Sequence, residues 1–190
     1  TLFLSLSGLS GVLAGVYALI GAAGVYMLLE HHYIYYPYVI IESRTFKAIM
    51  AIALAVLVAS LVTAYLFSTR KAKRNGESLV NATAKRALYN FAIPLLTGGL
   101  LSVLLIKNGY YGLLAPMTLI FYGLACVNVS KYTFGDVHYL GITEIVLGLL
   151  AVYFPGYGLL FWTLGFGVCH ILYGGVMYFK YERNKGKDHQ

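Results

Sequence analysis

Residues 3–29 read FLSLSGLSGVLAGVYALIGAAGVYMLL, a run without a charged side chain. A helix that crosses the hydrocarbon core of a bilayer needs about 20 consecutive apolar residues, and this run exceeds that length. Inside lipid every backbone amide and carbonyl must be hydrogen-bonded within the protein, and a helix meets that requirement by itself. The stretch therefore predicts a transmembrane helix.

The rest of the chain has the same character. Its 190 residues are 59% hydrophobic and 11% charged, and the mean hydropathy is +0.74. Soluble domains carry about 25% charged residues, so this composition excludes a soluble fold. Alternating segments of about ten residues, which membrane strands require, are absent from the sequence. The pattern predicts an all-α, polytopic six-helix bundle built of hairpins, a single transmembrane domain over residues 1–190. The predicted spans are residues 3–29, 48–67, 88–106, 111–129, 139–154 and 157–179.

Lysine and arginine are distributed unevenly between the two sets of loops. Three of the 14 fall on one side, at Arg44, Lys47 and Lys107; the other side holds Arg70, Lys71, Lys73, Arg74, Lys85, Arg86, Lys131, Lys180, Arg183, Lys185 and Lys187. Cytoplasmic loops are enriched in these residues. We therefore predict a multipass protein of the bacterial plasma (inner) membrane with both termini, Asn75 and Tyr132 in the cytoplasm. A basic loop at 70–87 and a basic tail at 180–190 follow from this orientation.

The net charge of +7 indicates the partners of that face. Cations beside anionic lipid head groups contribute roughly 1 kcal/mol each, so the basic side is predicted to bind such lipids. Residues 70–73 hold no aromatic side chain on which bases could stack, and nucleic acid is not a predicted partner. The remaining predicted partners are the bilayer itself and a second copy or another protein that contacts the helices.

The opposite set of loops is rich in tyrosine, at residues 30–38, 110–111 and 153–157. Tyrosine favours the membrane interface because its ring is apolar and its hydroxyl prefers water, so an interfacial belt is the simpler interpretation. A ligand surface with His31 and His32 as metal ligands stays open. Adjacent histidines on a helix point about 100° apart, which makes them weak candidates for one metal ion.

Small residues in the first span recur at spacings of three and four, at Gly8, Gly11, Gly15, Ala18 and Ala22. This spacing places them on one face of a helix. In lipid, helices associate through close packing, and small residues let two backbones approach each other. We predict that Gly11 and Gly15 lie at a close helix–helix contact.

Later spans repeat this spacing around polar residues. The positions are Gly141, Glu144 and Gly148 in the fifth span, Thr163, Gly167, His170 and Gly174 in the sixth, and Gly123, Cys126 and Ser130 in the fourth. An ionisable residue inside a membrane is costly and marks a functional position by default. We predict that Glu144 meets His170 inside the bundle, with Cys126 nearby. The pair is either a protonatable switch or solute path, or a static hydrogen bond that locks two helices together.

Residues 141–178 contain two glycine-spaced spans joined by Pro155 and Gly156. This segment resembles the hairpin of the HdeD-like family of small six-helix bacterial membrane proteins. The resemblance implies repeated hairpins and a link to acid stress, and it implies no catalytic residue. Residues 3–21 are similar to the opening span of a group of uncharacterised bacterial multipass membrane proteins.

The sequence contains no P-loop, no dinucleotide fingerprint, no HExxH and no GxSxG. His170 is the one histidine well inside a predicted span, so a bis-histidine haem is not predicted, and no cofactor or catalytic residue is assigned. Three functions stay open. They are a structural, regulatory or stress-related protein acting through helix packing or a partner, a transporter or channel for protons or a small solute, and a membrane enzyme acting on lipid or quinone. The enzyme is the least favoured.

Overall fold

The computed structural model describes residues 8–29, 43–74 and 82–183, and all regular structure in them is helical. Within those ranges six helices are long and apolar enough to cross a membrane. They are α1 (Gly8–Leu29), α2 (Ser43–Arg74), α3 (Ala82–Lys107), α4 (Leu114–Val129), α5 (Asp136–Tyr153) and α6 (Gly158–Tyr181). The prediction of an all-α chain with six helices of membrane length is confirmed.

The second helix is longer than its apolar segment. It was predicted over 48–67 and extends over Ser43–Arg74, so the first part of the predicted basic loop at 70–87 is its last turn. The end of that loop belongs to α3, which begins at Ala82; residues 75–81 lie outside the described ranges. Lysine and arginine are good helix formers, and their charges are stabilised at a helix C-terminus. The helix therefore continues past its apolar part.

The sixth helix changes its pitch halfway along. An α-helical start over Gly158–Trp162 widens into a π-helical segment over Thr163–Cys169 and returns to α-helix over His170–Tyr178. A π-helical segment fits additional backbone into the turn and rotates the residues that follow, and such segments are frequent at functional sites. The helical faces on either side of Thr163–Cys169 are therefore offset from a regular 3.6-residue register.

The packing order of the helices differs from their order in the chain. The first helix lies between α2 and α6, and α6 in turn contacts α1, α4 and α5. The third helix packs mainly on α4. The fourth and sixth helices therefore each contact three others, and α1 and α6 are in direct contact.

The glycines of α1 form the contact with α6. A methyl group added at Gly15 would lie 2.6 Å from the carbonyl oxygen of Gly167, and one at Gly11 would lie 3.3 Å from the Cα atom of Gly174. A methyl at Gly174 would lie 2.6 Å from the amide nitrogen of Val12. The backbones are therefore too close for any side chain. The small face of the first span contacts the last helix of the bundle.

A second glycine contact joins α4 to α5. A methyl at Gly123 would lie 2.6 Å from the carbonyl oxygen of Gly141, and a methyl at Gly141 would lie 2.7 Å from that of Gly123. Further along, a methyl at Gly148 would lie 3.0 Å from the carbonyl oxygen of Pro116. The glycines of the fifth span thus face α4, whereas Gly167 and Gly174 of the sixth face α1.

One end of the bundle carries a group of charged and aromatic side chains. The ammonium of Lys180 donates to both carboxylate oxygens of Asp136, at 3.1 and 3.2 Å. The Phe134 ring stacks on Tyr181 with centroids 4.2 Å apart, and Lys71 lies 5.3 Å from the centroid of Phe134. The end of α2, the α4–α5 connection and the end of α6 therefore lie together.

Candidate functional site

Glu144 lies on the inner face of α5 and its side chain is fully buried, with 0% exposure. Neither carboxyl oxygen has a hydrogen-bond partner in the described part of the chain. The carboxyl rests on the backbone of Gly165, where a methyl group would collide with Oε2 and lie 2.6 Å from Cδ2 of Leu119. Burying a polar group without a partner is costly, so this carboxyl is the least satisfied group in the bundle core.

His170 lies within ion-pair distance of this carboxyl. Its Nδ1 lies 3.4 Å from Oε1 of Glu144 and 3.1 Å from the carbonyl oxygen of Gly165. The ring is also buried, with the residue 6% exposed. His170 is the first residue after the π-helical segment, which brings its ring over the carbonyl five residues earlier in the chain. The structure thus brings Glu144 and His170 together inside the bundle.

Tyr122 on α4 is a third member of the site that the sequence did not indicate. Its hydroxyl lies 2.8 Å from Nε2 of His170. Its ring is held between Phe166, with centroids 5.1 Å apart, and Phe91, at 6.1 Å in an edge-on arrangement. One signal in the sequence would have identified it: Tyr122 precedes Cys126 by four residues and so shares its helical face.

The other predicted site residues have different surroundings. Cys126 is buried in an apolar cluster beside Tyr122, which is consistent with a small core residue near the pair. The hydroxyl of Thr163 donates to the carbonyl oxygen of Leu159 at 2.7 Å, within its own helix. Gly165, which the glycine spacing did not indicate, contacts the carboxyl of Glu144, whereas Gly167 faces α1.

The polar groups that meet at the site are a carboxyl, an imidazole and a phenol. Among the described residues no three histidine, cysteine or acidic side chains converge as metal ligands. His31 and His32, the weak metal candidates, lie outside the described ranges. A carboxyl, an imidazole and a phenol in sequence, enclosed by apolar side chains, form a short chain that can hold or redistribute a proton.

The spaced glycines of the fifth and sixth spans pack the two helices that carry the site residues. Gly167 and Gly174 hold α6 against α1, and Gly141 and Gly148 hold α5 against α4. Both interfaces leave little freedom for the helices that carry His170 and Glu144. The distance between the two side chains is therefore set by backbone packing on two sides.

Comparison with known proteins adds no relative. No protein family matches the chain, and searches among curated proteins and among solved structures found no match either. The resemblance of residues 141–178 to an HdeD-like hairpin stays a prediction. The site itself is therefore the basis on which a function can be proposed.

Proposed function

We propose that this chain is a regulatory multipass membrane protein whose helix packing responds to the proton held by Glu144 and His170. The observation that supports it is the fully buried Glu144 carboxyl, which has no hydrogen-bond donor among the described residues and lies 3.4 Å from Nδ1 of His170. A carboxyl in that position differs strongly in solvation energy between its charged and neutral forms. Gain or loss of a proton by the pair therefore changes the stability of the contact between α5 and α6.

The groups that face the pair are few. From α4, the Tyr122 hydroxyl lies 2.8 Å from Nε2 of His170, and the buried Cys126 lies one turn further along that helix. From α6, Cys169 directly precedes His170. The α1 residues that contact α6 at its glycines are Gly8, Gly11 and Gly15 and the apolar side chain of Leu19. In the described ranges no lysine or arginine lies beside Glu144 to fix it as a permanent ion pair, so the imidazole is the group that responds.

Replacing Glu144 with glutamine tests this proposal. Glutamine keeps the size and the hydrogen-bonding capacity but cannot titrate, so we expect the folded bundle to remain, at a cost of about 1 kcal/mol or less. The wild type should show a pH-dependent change in hydrogen exchange of α5 and α6 across the pH range in which the protein stays folded. The Glu144→Gln variant should lose that change.

The matched control is Asp136→Asn on the same helix. Its carboxylate is bound to Lys180 at the end of the bundle, so the pH-dependent exchange around His170 should persist in this variant. If Glu144→Gln reproduces the wild-type exchange at every pH, the carboxyl is a static packing element and the regulatory role is wrong.

We propose a plasma-membrane orientation with both termini cytoplasmic. The asymmetry of lysine and arginine supports it, together with the group at one bundle end that contains Lys71 and Lys180. Cysteines introduced at Asn75 or Lys131 should be protected from a membrane-impermeant thiol reagent in intact cells, and a cysteine at the exposed Tyr110 should react. The chain without added cysteines gives the background from Cys126 and Cys169. Labelling at Lys131 but not at Tyr110 would reverse the orientation.

A proton-coupled transporter is the second candidate, and the π-helical segment of α6 favours it. Transporters place irregular helices beside their binding sites near the middle of the membrane, and Thr163–Cys169 lies beside the Glu144–His170 pair. Proton uptake by proteoliposomes under an imposed voltage separates the two proposals. A flux that disappears in Glu144→Gln supports transport, whereas a pH-dependent conformation without flux supports regulation.

A further inference from the structure

The two ring nitrogens of His170 have chemically different partners. Nδ1 lies 3.1 Å from the carbonyl oxygen of Gly165, and Nε2 lies 2.8 Å from the hydroxyl of Tyr122. A carbonyl oxygen can only accept a hydrogen bond, whereas a phenol can donate or accept. The Gly165 contact therefore requires a hydrogen on Nδ1. In the neutral imidazole Nε2 is then an acceptor, and Tyr122 must be the donor.

We infer that Tyr122 is the positioning residue that donates to Nε2 of His170 and so holds the ring in the Nδ1–H tautomer that the Gly165 carbonyl requires. This inference rests on the proposed function, since it names how the pair is organised. Nδ1 donates to the Gly165 carbonyl oxygen at 3.1 Å and lies 3.4 Å from Oε1 of Glu144, to which it makes no hydrogen bond. A hydroxyl that donates to one ring nitrogen favours the hydrogen on the other. The site is thus built from three helices, with α6 and α4 each providing the partner of one ring nitrogen.

In this arrangement a proton added to His170 can bind at only one ring nitrogen. Nδ1 already carries hydrogen, so the incoming proton binds Nε2, and the Tyr122 oxygen changes from donor to acceptor. The hydroxyl hydrogen must then turn towards another acceptor, and the thiol of Cys126, one helical turn along α4, is the adjacent group. Protonation between α5 and α6 therefore alters a hydrogen bond on α4.

The surroundings of the His170 ring offer few other hydrogen-bond partners. Glu144 faces it from α5, Cys126 and Tyr122 from α4, and Cys169 is its neighbour on α6. The remaining contacts are the apolar ring of Phe166, stacked with its centroid 5.7 Å from that of His170, and the glycines of α1 beyond. Within the described residues, Tyr122 is the hydrogen-bond partner of Nε2.

Nitrogen-15 NMR of ring-labelled histidine in detergent micelles tests the inference directly. The five histidines of the chain give a manageable spectrum, and the signals of His170 are identified by their loss in His170→Gln. Wild-type protein at a pH where the ring is neutral should show the hydrogen on Nδ1. In Tyr122→Phe the Nε2 resonance should move towards the value of a nitrogen without a donor.

Tyr173→Phe is the matched control, because that hydroxyl also lies on an inner helix and contacts Thr143, at 3.3 Å, rather than the imidazole. It should leave both ring resonances of His170 unchanged. A hydrogen on Nε2 in the wild type would overturn the inference, and so would an Nε2 resonance that does not move in Tyr122→Phe. The tautomer measured in the wild type can overturn the inference even if Tyr122→Phe fails to fold. It is also independent of whether Glu144→Gln abolishes the pH response, so the two proposals can fail separately.

Discussion

Replacing Gly174 with alanine is expected to destabilise the bundle by about 1–3 kcal/mol, the usual cost of overpacking a tight core. The added methyl would lie 2.6 Å from the amide nitrogen of Val12 and 2.7 Å from the carbonyl oxygen of Gly8. These are backbone atoms and cannot rotate away, so α1 and α6 must separate along their whole contact. Thermal unfolding in a mild detergent, followed by circular dichroism, measures the loss.

The neighbouring glycine provides the control. A methyl at Gly175 would have nothing within 4 Å, so Gly175→Ala should be neutral or stabilising, because alanine is the better helix former by up to about 1 kcal/mol. The two variants have the same composition and adjacent positions. If both melt at the same temperature, α1 and α6 are not in backbone contact, and the predicted role of Gly11 and Gly15 is wrong as well.

Replacing Gly165 with alanine is expected to displace the Glu144 carboxyl from His170. The methyl would collide with Oε2 and would lie 2.6 Å from Cδ2 of Leu119, in a region where Glu144 is fully buried. We expect a loss of about 1–3 kcal/mol in stability and the loss of the pH-dependent exchange described above. Both effects are measured on the same purified protein.

A double-mutant cycle isolates the cause. Glu144→Ala removes the obstructing carboxyl, so adding Gly165→Ala to it should cost less than it does in the wild type. The part of the cost that persists reports the contact with Leu119. If the two changes are strictly additive, the carboxyl and the Gly165 backbone are not in contact. If Gly165→Ala behaves like the wild type, the site has room that the structure does not show.

The helices themselves follow from elementary features of the sequence. Apolar length identified all six, because no other structure satisfies the backbone of such segments in lipid. The boundaries shifted where charged residues continued a helix, as at Arg70–Arg74. Hydropathy indicates where the apolar segment ends, whereas a helix ends where its backbone hydrogen bonding ends. These two ends need not fall at the same residue.

The candidate site could be predicted only in part. The spacing of glycines around Glu144 and His170 indicated two inward-facing ionisable groups, because both residues would be too costly to expose to lipid. The spacing of Tyr122 from Cys126 was a weaker signal, since a tyrosine with its ring in a bundle and one in contact with lipid look alike in a sequence. Gly165 was missed because the π-helical segment changes the register, and a single spacing rule assumes that the register is constant.

Spacing also leaves the partner of a packing face undetermined. The small face of α1 was evident, but nothing in it distinguishes α2, the next helix in the chain, from α6. The structure pairs it with α6 through Gly15 and Gly167, while Gly21 provides the close approach to α2, where a methyl would lie 2.6 Å from Cγ2 of Val56. A helix with small residues on two faces can pack closely against two neighbouring helices, and only the three-dimensional structure shows which helix contacts which face.

The contact between α1 and α6 also sets the order in which the protein can be completed. Residues 8 and 158 begin these two helices, and at translation rates of about 5–20 residues per second their synthesis is separated by roughly 8–30 s. During that interval α4 and α5 can pair as soon as both have been inserted. The glycine face of α1 remains in the membrane without α6, and the Glu144 carboxyl remains without the imidazole of His170. Insertion of α6 meets both needs at once, so a single late event during biogenesis closes the bundle and assembles its buried polar site.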